Sequence, residues 1–205
     1  MTATRSPTAL AWVTAVLLAE LAVSGFRPYD RGTWLLEIFP IVIVLPVLWA
    51  TRRRFPLTTL LYVGIAVHGA VLAMGGAYTY ARVPVGFEIA DWLHTARNPY
   101  DKIGHFFQGF VPAIATREIL LRGSYVKGRG MLAFLTVCVV LAVSATYELI
   151  EWAAALALGQ GADDFLGTQG DVWDTQSDMF AALVGAGAAL LTLSRVHDRQ
   201  IARLA

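Results

Sequence analysis

Six long apolar runs constrain this chain more than anything else in it. Residues 8–25, 34–50, 57–74, 100–121, 131–158 and 179–193 reach or approach the roughly 18–25 residues that a bilayer span needs. In hydrocarbon every backbone N–H and C=O must be satisfied within the protein, which leaves helices and closed barrels. Barrel strands alternate apolar and polar residues over short segments; these runs are unbroken. The expected fold is therefore all-α: a polytopic membrane helix bundle of about six transmembrane helices, forming a single domain over residues 1–205. A mean hydropathy of +0.58 with 15% charged residues agrees with membrane immersion. The formal charge of +1 gives no steering towards nucleic acid. The single cysteine, Cys138, excludes an intrachain disulfide and a cysteine-based zinc site.

The connections set the topology. The first run starts with a short basic segment, as signal peptides do. Glu20 interrupts it and the cleavage sites near Ser24-Gly25 are weak, so it reads as a retained helix. Pro40 and Pro46 are expected to kink the second run. In the long connection 75–99, Val85, Phe87, Ile89, Trp92 and Leu93 suit a segment lying on the membrane surface. Arg5, Arg52 to Arg54, Arg122, Lys127, Arg129, Arg195, Arg199 and Arg203 fall on one side. By the positive-inside rule that side is cytoplasmic, and both termini lie there. The other side holds fewer, Arg27, Arg31, Arg82, Arg97 and Lys102, together with an acidic turn at residues 167–179 that has no Lys or Arg.

This topology collects ionisable residues at one depth. Glu20, Glu37, His68, Asp101, His105, Glu148, Glu151, Asp171, Asp174 and Asp178 all fall in the outer half of the bilayer or at its outer edge. On helices, Asp101, His105 and Gln108 share one face, as do Tyr147, Glu148, Glu151 and Trp152. Asp171, Asp174 and Asp178 stack along the first turns of the last span if helix extends through them. Helix bundles build metal sites in this way, from carboxylates and His at i, i+3 or i, i+4 on facing helices. Asp101, His105, Glu148, Glu151, Asp171, Asp174 and Asp178 are the candidate ligands. A donor set rich in carboxylates favours a divalent Mg, Mn or Ca ion, and His105 keeps Zn open.

Plainer roles stand beside these. Asp171 and Asp174 suit N-caps of the last span, and Asp101 an N-cap of the fourth with Lys102 as its ion partner. His68 suits a hydrogen-bonded core histidine. Glu20 and Glu37 have Arg27, Arg31 and Arg82 within reach as structural partners, and Arg117-Glu118 with Arg122 reads as an interfacial ion cluster at the cytoplasmic end. Glu148 and Glu151 carry the strongest functional signal. Two acids one turn apart repel unless a cation, a proton or an arginine lies between them.

Several stretches resemble one family. YDKIGHFFQGFVP from Tyr100 to Pro112, REILLR from Arg117 to Arg122, YELIEW from Tyr147 to Trp152, FLGTQGDVWDTQSDM from Phe165 to Met179 and YTYARVP from Tyr78 to Pro84 are similar to the YjdF-type bacterial inner-membrane proteins. Lys102 stands where that family's pattern has Arg, and Ser177 where it has Trp. The resemblance implies the topology and a bacterial inner membrane, and carries no activity. Asp101-Lys102 followed by His105 also resembles, more distantly, the start of the VanZ-like membrane proteins. These are linked to glycopeptide resistance, which points towards cell-envelope lipids.

Three functional classes follow. In the first, a metal-dependent membrane hydrolase or transferase, the cation activates water or polarises a phosphate or ester. His105, Glu148, Glu151 and Asp171 are its candidate catalytic residues, and Arg82, Lys102, Gln108 and Gln169 its candidate substrate contacts. The substrate is a membrane lipid or lipid-linked molecule reached from the outer leaflet. In the second, a structural or assembly protein, the same network serves packing. In the third, a small proton- or ion-coupled carrier, a polar path leads inward, for which the fifth span offers only Thr136 and Ser144 between residues 131 and 145.

Overall fold

The computed structural model describes residues 6–158 and 168–204, so Arg5 and the Phe165–Gly167 part of the acidic motif lie outside the described residues. Eight helices and no strand occur among them: α1 Ser6–Ser24, α2 Arg31–Glu37, α3 Phe39–Thr51, α4 Thr59–Tyr78, α5 Pro84–Leu93, α6 Tyr100–Arg122, α7 Arg129–Leu158 and α8 Asp174–Ile201. Four segments are long and apolar enough to cross a membrane: Arg31–Thr51, Thr59–Tyr78, Arg129–Ala157 and Asp174–Ile201. The apolar part of α1, Thr8–Ser24, is shorter. Trp12, Val47, Phe134, Leu149, Phe180 and Leu191 point outward from these helices, an apolar exterior that suits lipid and not water.

Local chemistry sets the boundaries. Asp30 caps α2 by accepting the Thr33 N–H at 2.7 Å, and that bond holds its carboxyl below the usual range. The second apolar run breaks once, at Ile38, because Pro40 lies in the first turn of α3 and cannot donate to the turn before it. Pro46 is carried inside α3 without a second break. Thr58 caps α4, which ends at Thr79 in the left-handed conformation with φ of 53°. The surface segment expected within 75–99 is helical only as α5.

The largest departure from the sequence reading concerns α8. It starts at Asp174, so Asp171 lies outside the helix and the three aspartates do not share one helical face. Gln169 and Gly170 both have positive φ, which turns the chain, and Asp171 Oδ1 accepts the Trp173 N–H at 2.9 Å within that turn. Trp173 occupies the cap position with no side-chain bond, so neither Asp171 nor Asp174 is the N-cap of α8.

The helix α6 lies in the middle, packed against α4, α7 and above all α8. Both its ends are charged, and its buried residues include Asp101, His105, Arg117 and Glu118. Such a helix is stable in a membrane when neighbours cover it. Gly109 of α6 and Gly185 of α8 make the coverage tight. A Cβ on Gly109 would overlap the Ala182 carbonyl, and a Cβ on Gly185 the Phe106 carbonyl, so the two backbones touch. Ala182, Ala186 and Ala189 complete the buried face of α8 beside Gly185.

One end of the bundle is closed by a buried latch. Glu118, fully buried, accepts from Thr58 N–H at 3.0 Å, Thr58 Oγ1 at 2.7 Å, Arg122 at 2.9 Å and His197 Nε2 at 3.0 Å. Arg117 bonds Asp198 and His197 Nδ1. Because Arg117 only donates, Nδ1 accepts and Nε2–H donates to Glu118. The latch ties α4, α6 and α8 together. The ion cluster expected at Arg117, Glu118 and Arg122 is buried at Arg117 and Glu118 and is completed by His197. An apolar space bordered by Ala113, Ile114, Ala189 and Leu193 adjoins it.

Gly109→Ala and Gly185→Ala are each expected to lower stability by about 3 kcal/mol, the upper part of the overpacking range, because the opposing atoms are backbone. Gly187→Ala, whose Cβ meets nothing within 4 Å, is expected to leave the thermal midpoint unchanged or raise it, since Ala favours helix by about 1 kcal/mol. Circular-dichroism melts in detergent measure both.

Candidate functional site

At the end of the bundle opposite the latch, four elements converge. The first turns of α6 carry Asp101, Lys102, His105 and Gln108; α8 brings Asp174 and Asp178; the far end of α7 brings Tyr147, Glu148 and Glu151; and Glu37 arrives at the break after α2. Contact of Gly109 with Ala182 is what sets α6 and α8 close enough for their acids to meet. Glu37, Asp101, His105, Glu148, Glu151, Asp174 and Asp178 are all buried.

One half of the site is matched by basic groups. Arg97, from the loop before α6, reaches Asp171 at 2.9 Å and Asp101 at 3.4 Å, and pairs closely with Asp174. Burial pulls its guanidinium down, and Asp174, Asp101 and Asp178 together more than restore it, so Arg97 stays charged. Lys102 Nζ lies 2.6 Å from Asp174 Oδ1, 2.6 Å from Asp178 Oδ1 and 3.6 Å from Asp101 Oδ2.

His105 divides this half from the other. Its Nε2 faces Asp101 Oδ1 at 3.5 Å and Asp178 Oδ1 at 3.6 Å. Its Nδ1–H donates to Gln108 Oε1 at 3.0 Å. That bond occupies Nδ1 and orients the ring so that Nε2 is directed at the two aspartates. Donor atoms of Asp101, His105 and Asp178 all lie within 4.8 Å of one another, the spacing of a set that can hold a metal ion.

Beyond His105 the acids are less well matched. Glu148 Oε1 is buried, makes no hydrogen bond, and lies 3.8 Å from His105 Nδ1. Glu151, one turn on, shares its field with Glu148, His105 and Glu37. Glu37 Oε2 accepts from the Tyr147 hydroxyl at 3.0 Å, and the Tyr147 ring meets His105 edge-on at 6.3 Å. Tyr80 lies in the field of the Glu37 carboxyl. Burial and the Glu37 carboxyl push the Tyr80 phenol well above its usual range, so it acts as a donor. Its ring is seated where Gly75 and Gly104 have no side chain.

The remaining sequence candidates have other surroundings. Asp171 sits at the rim, its side chain 35% exposed. Gln169 clamps a neighbouring loop, accepting the Asn98 N–H and donating to the Asn98 carbonyl, each at 3.0 Å. Arg82 lies over the Tyr29 ring at 4.1 Å. Glu20 Oε2 is buried against Gly69, and neither it nor His68 Nε2 has a hydrogen-bond partner. Sequence reasoning missed Arg97 as a member of the site. Its signal was spacing, four residues before Asp101, but on a loop that spacing carries no helical phase.

The chain matches the family described as a predicted membrane protein, DUF2238, over residues 9–199. It is 59% identical over 203 residues to the inner membrane protein YjdF of Escherichia coli (strain K12), covering 99% of this chain and 97% of that one. No solved structure matches it.

Tyr147→Phe strands a buried Glu37 oxygen. The expected loss is about 1–3 kcal/mol, read as a lower thermal midpoint in detergent, with the helical signal at low temperature unchanged.

Proposed function

The chain belongs to the DUF2238 family of predicted membrane proteins and resides in the bacterial inner membrane, and from that premise we propose that it holds a divalent cation at Asp101, His105 and Asp178. The cation serves chemistry on a lipid or lipid-linked envelope substrate at the outer leaflet. In this reading α1 and α6 also span the bilayer, giving six crossings with both termini cytoplasmic, and the site opens away from the cytoplasm. The basic residues of the loops at 52–54 and 122–129 and of the C-terminal end support that orientation.

The observation that carries the proposal is the charge imbalance. Glu37, Asp101, Glu148, Glu151, Asp171, Asp174 and Asp178 gather around Arg97, Lys102 and His105. Carboxylates withdrawn from water without partners are expensive. A divalent ion relieves the excess, and the stranded Glu148 oxygen is aimed at the imidazole beside it. Two carboxylates and one imidazole suit Mg, Mn or Zn, and leave coordination positions open for water and substrate. The bound ion supplies Lewis acidity. Glu148 and Glu151, outside the ligand set, stand as candidate bases for a water proton.

A structural reading has its own support: Arg97 and Lys102 already contact all four aspartates. The carrier reading has less, since Thr136 and Ser144 are the polar groups along the α7 seam below Glu148.

Metal analysis of detergent-purified protein separates the first two. Unaltered protein is expected to hold a stoichiometric divalent ion. Asp178→Asn is expected to lose it, and Glu148→Gln to bind about tenfold more weakly, the usual effect of removing a group beside the ligands. Protein that takes up no divalent ion at millimolar concentration leaves the structural reading. For topology, a green fluorescent protein fused to the C-terminus is expected to fluoresce, and alkaline phosphatase fused after Arg97 to be active; the reverse pattern inverts the orientation.

A further inference from the structure

The acid pocket already contains a cation, and it is a side chain. Lys102 Nζ sits 2.6 Å from Asp178 Oδ1, the same oxygen that faces His105 Nε2 at 3.6 Å. A divalent ion takes carboxylate oxygens at about 2.0–2.6 Å. An ammonium at hydrogen-bond distance from that oxygen would repel it at close range, in a site with little water to screen the charges. The two occupants therefore exclude one another at Asp178.

Lys102 is the partner able to leave. Its side chain is 26% exposed, against 2% for Asp178 and 6% for His105, and its charge rides on a flexible four-carbon stem. Arg97 continues to neutralise Asp171 and Asp174 after such a departure. A displaced ammonium at the rim needs a new anion. The cation has open positions beside it, of the kind that phosphate oxygens fill in sites built from one or two carboxylates. Lysine is a usual partner of phosphate as a point charge.

Resting on the cation reading above, we propose that Lys102 is an exchangeable counter-cation. It holds Asp174 and Asp178 while no ion is bound, is displaced from Asp178 when a divalent ion binds at Asp101, His105 and Asp178, and then pairs with a phosphate oxyanion of the substrate. Cation and phosphate thereby reinforce each other's binding through Lys102, and the coupling is reciprocal.

The test is Mn2+ titration, followed by electron paramagnetic resonance, of protein in phosphatidylcholine nanodiscs. Lys102→Gln is expected to bind Mn2+ at least about tenfold more tightly than unaltered protein, and Lys102→Arg to match it. Inorganic phosphate, added where it leaves free Mn2+ unchanged, is expected to tighten binding by the unaltered protein and not by Lys102→Gln. Replacing phosphatidylcholine by phosphatidylglycerol without phosphate tells a lipid head group from free phosphate as the anion: tightening in either arm supports the proposal and names the source. If unaltered protein binds Mn2+ and Lys102→Gln binds it no more tightly, the exchange is overturned while the cation site stands. If Lys102→Gln is not recovered folded, absence of any phosphate or phosphatidylglycerol effect on the unaltered protein overturns it. If none of the proteins binds Mn2+, including the one relieved of its competitor, the cation site itself is overturned.

Discussion

Contact between two helix backbones, α6 at Gly109 and α8 at Gly185, underlies the arrangement of this molecule. Lipid offers no hydrophobic drive for helices to associate, so close packing of small residues must supply it. Here that packing holds a helix with charged ends at the centre of the bundle. It also sets the registers of α6 and α8, so that Lys102 and His105 face Asp174 and Asp178 at one end while Arg117 and Glu118 face His197 and Asp198 at the other.

The two ends solve the burial of charge differently, and the contrast is informative. Both oxygens of Glu118 are filled by a backbone N–H, a hydroxyl, an arginine and a histidine. That is how a buried acid looks when its work is structural: every lone pair is used and the flanking arginines and acids balance. The opposite end is only half finished in this sense. Its aspartates are matched by Arg97 and Lys102, while Glu148 keeps an oxygen with no donor and lies one turn from Glu151. An unsatisfied carboxylate in a dry interior is costly. The same chain satisfies an equivalent group fully at the other end, and that difference is one support for the proposed cation site.

The membrane class was legible from run lengths alone, since satisfying the backbone in hydrocarbon leaves little choice. The break at Pro40 was legible because a missing N–H acts locally. The convergence of Asp101, His105 and Asp178 followed from helical phase within α6 and from the depth common to both helices. What the sequence hid was non-local or conformational. Asp171 left the helical stripe because residues 169 and 170 take positive φ, which no pattern of apolar residues reports. Arg97 joined the site from a loop, and His197 joined the latch from a helix that continues well past the apolar run ending at residue 193. Pro46 lies inside α3, which runs through it without a break.

The central claim is that an imidazole nitrogen and two aspartate oxygens bind one ion. Electron spin-echo envelope modulation on Mn2+-loaded protein reads this directly, because a ligating nitrogen imprints its nuclear frequencies on the metal signal. The account predicts modulation from a single histidine nitrogen, shifted by 15N-histidine labelling and lost in His105→Gln. Bound Mn2+ with no nitrogen coupling, or with coupling that survives His105→Gln, would contradict it.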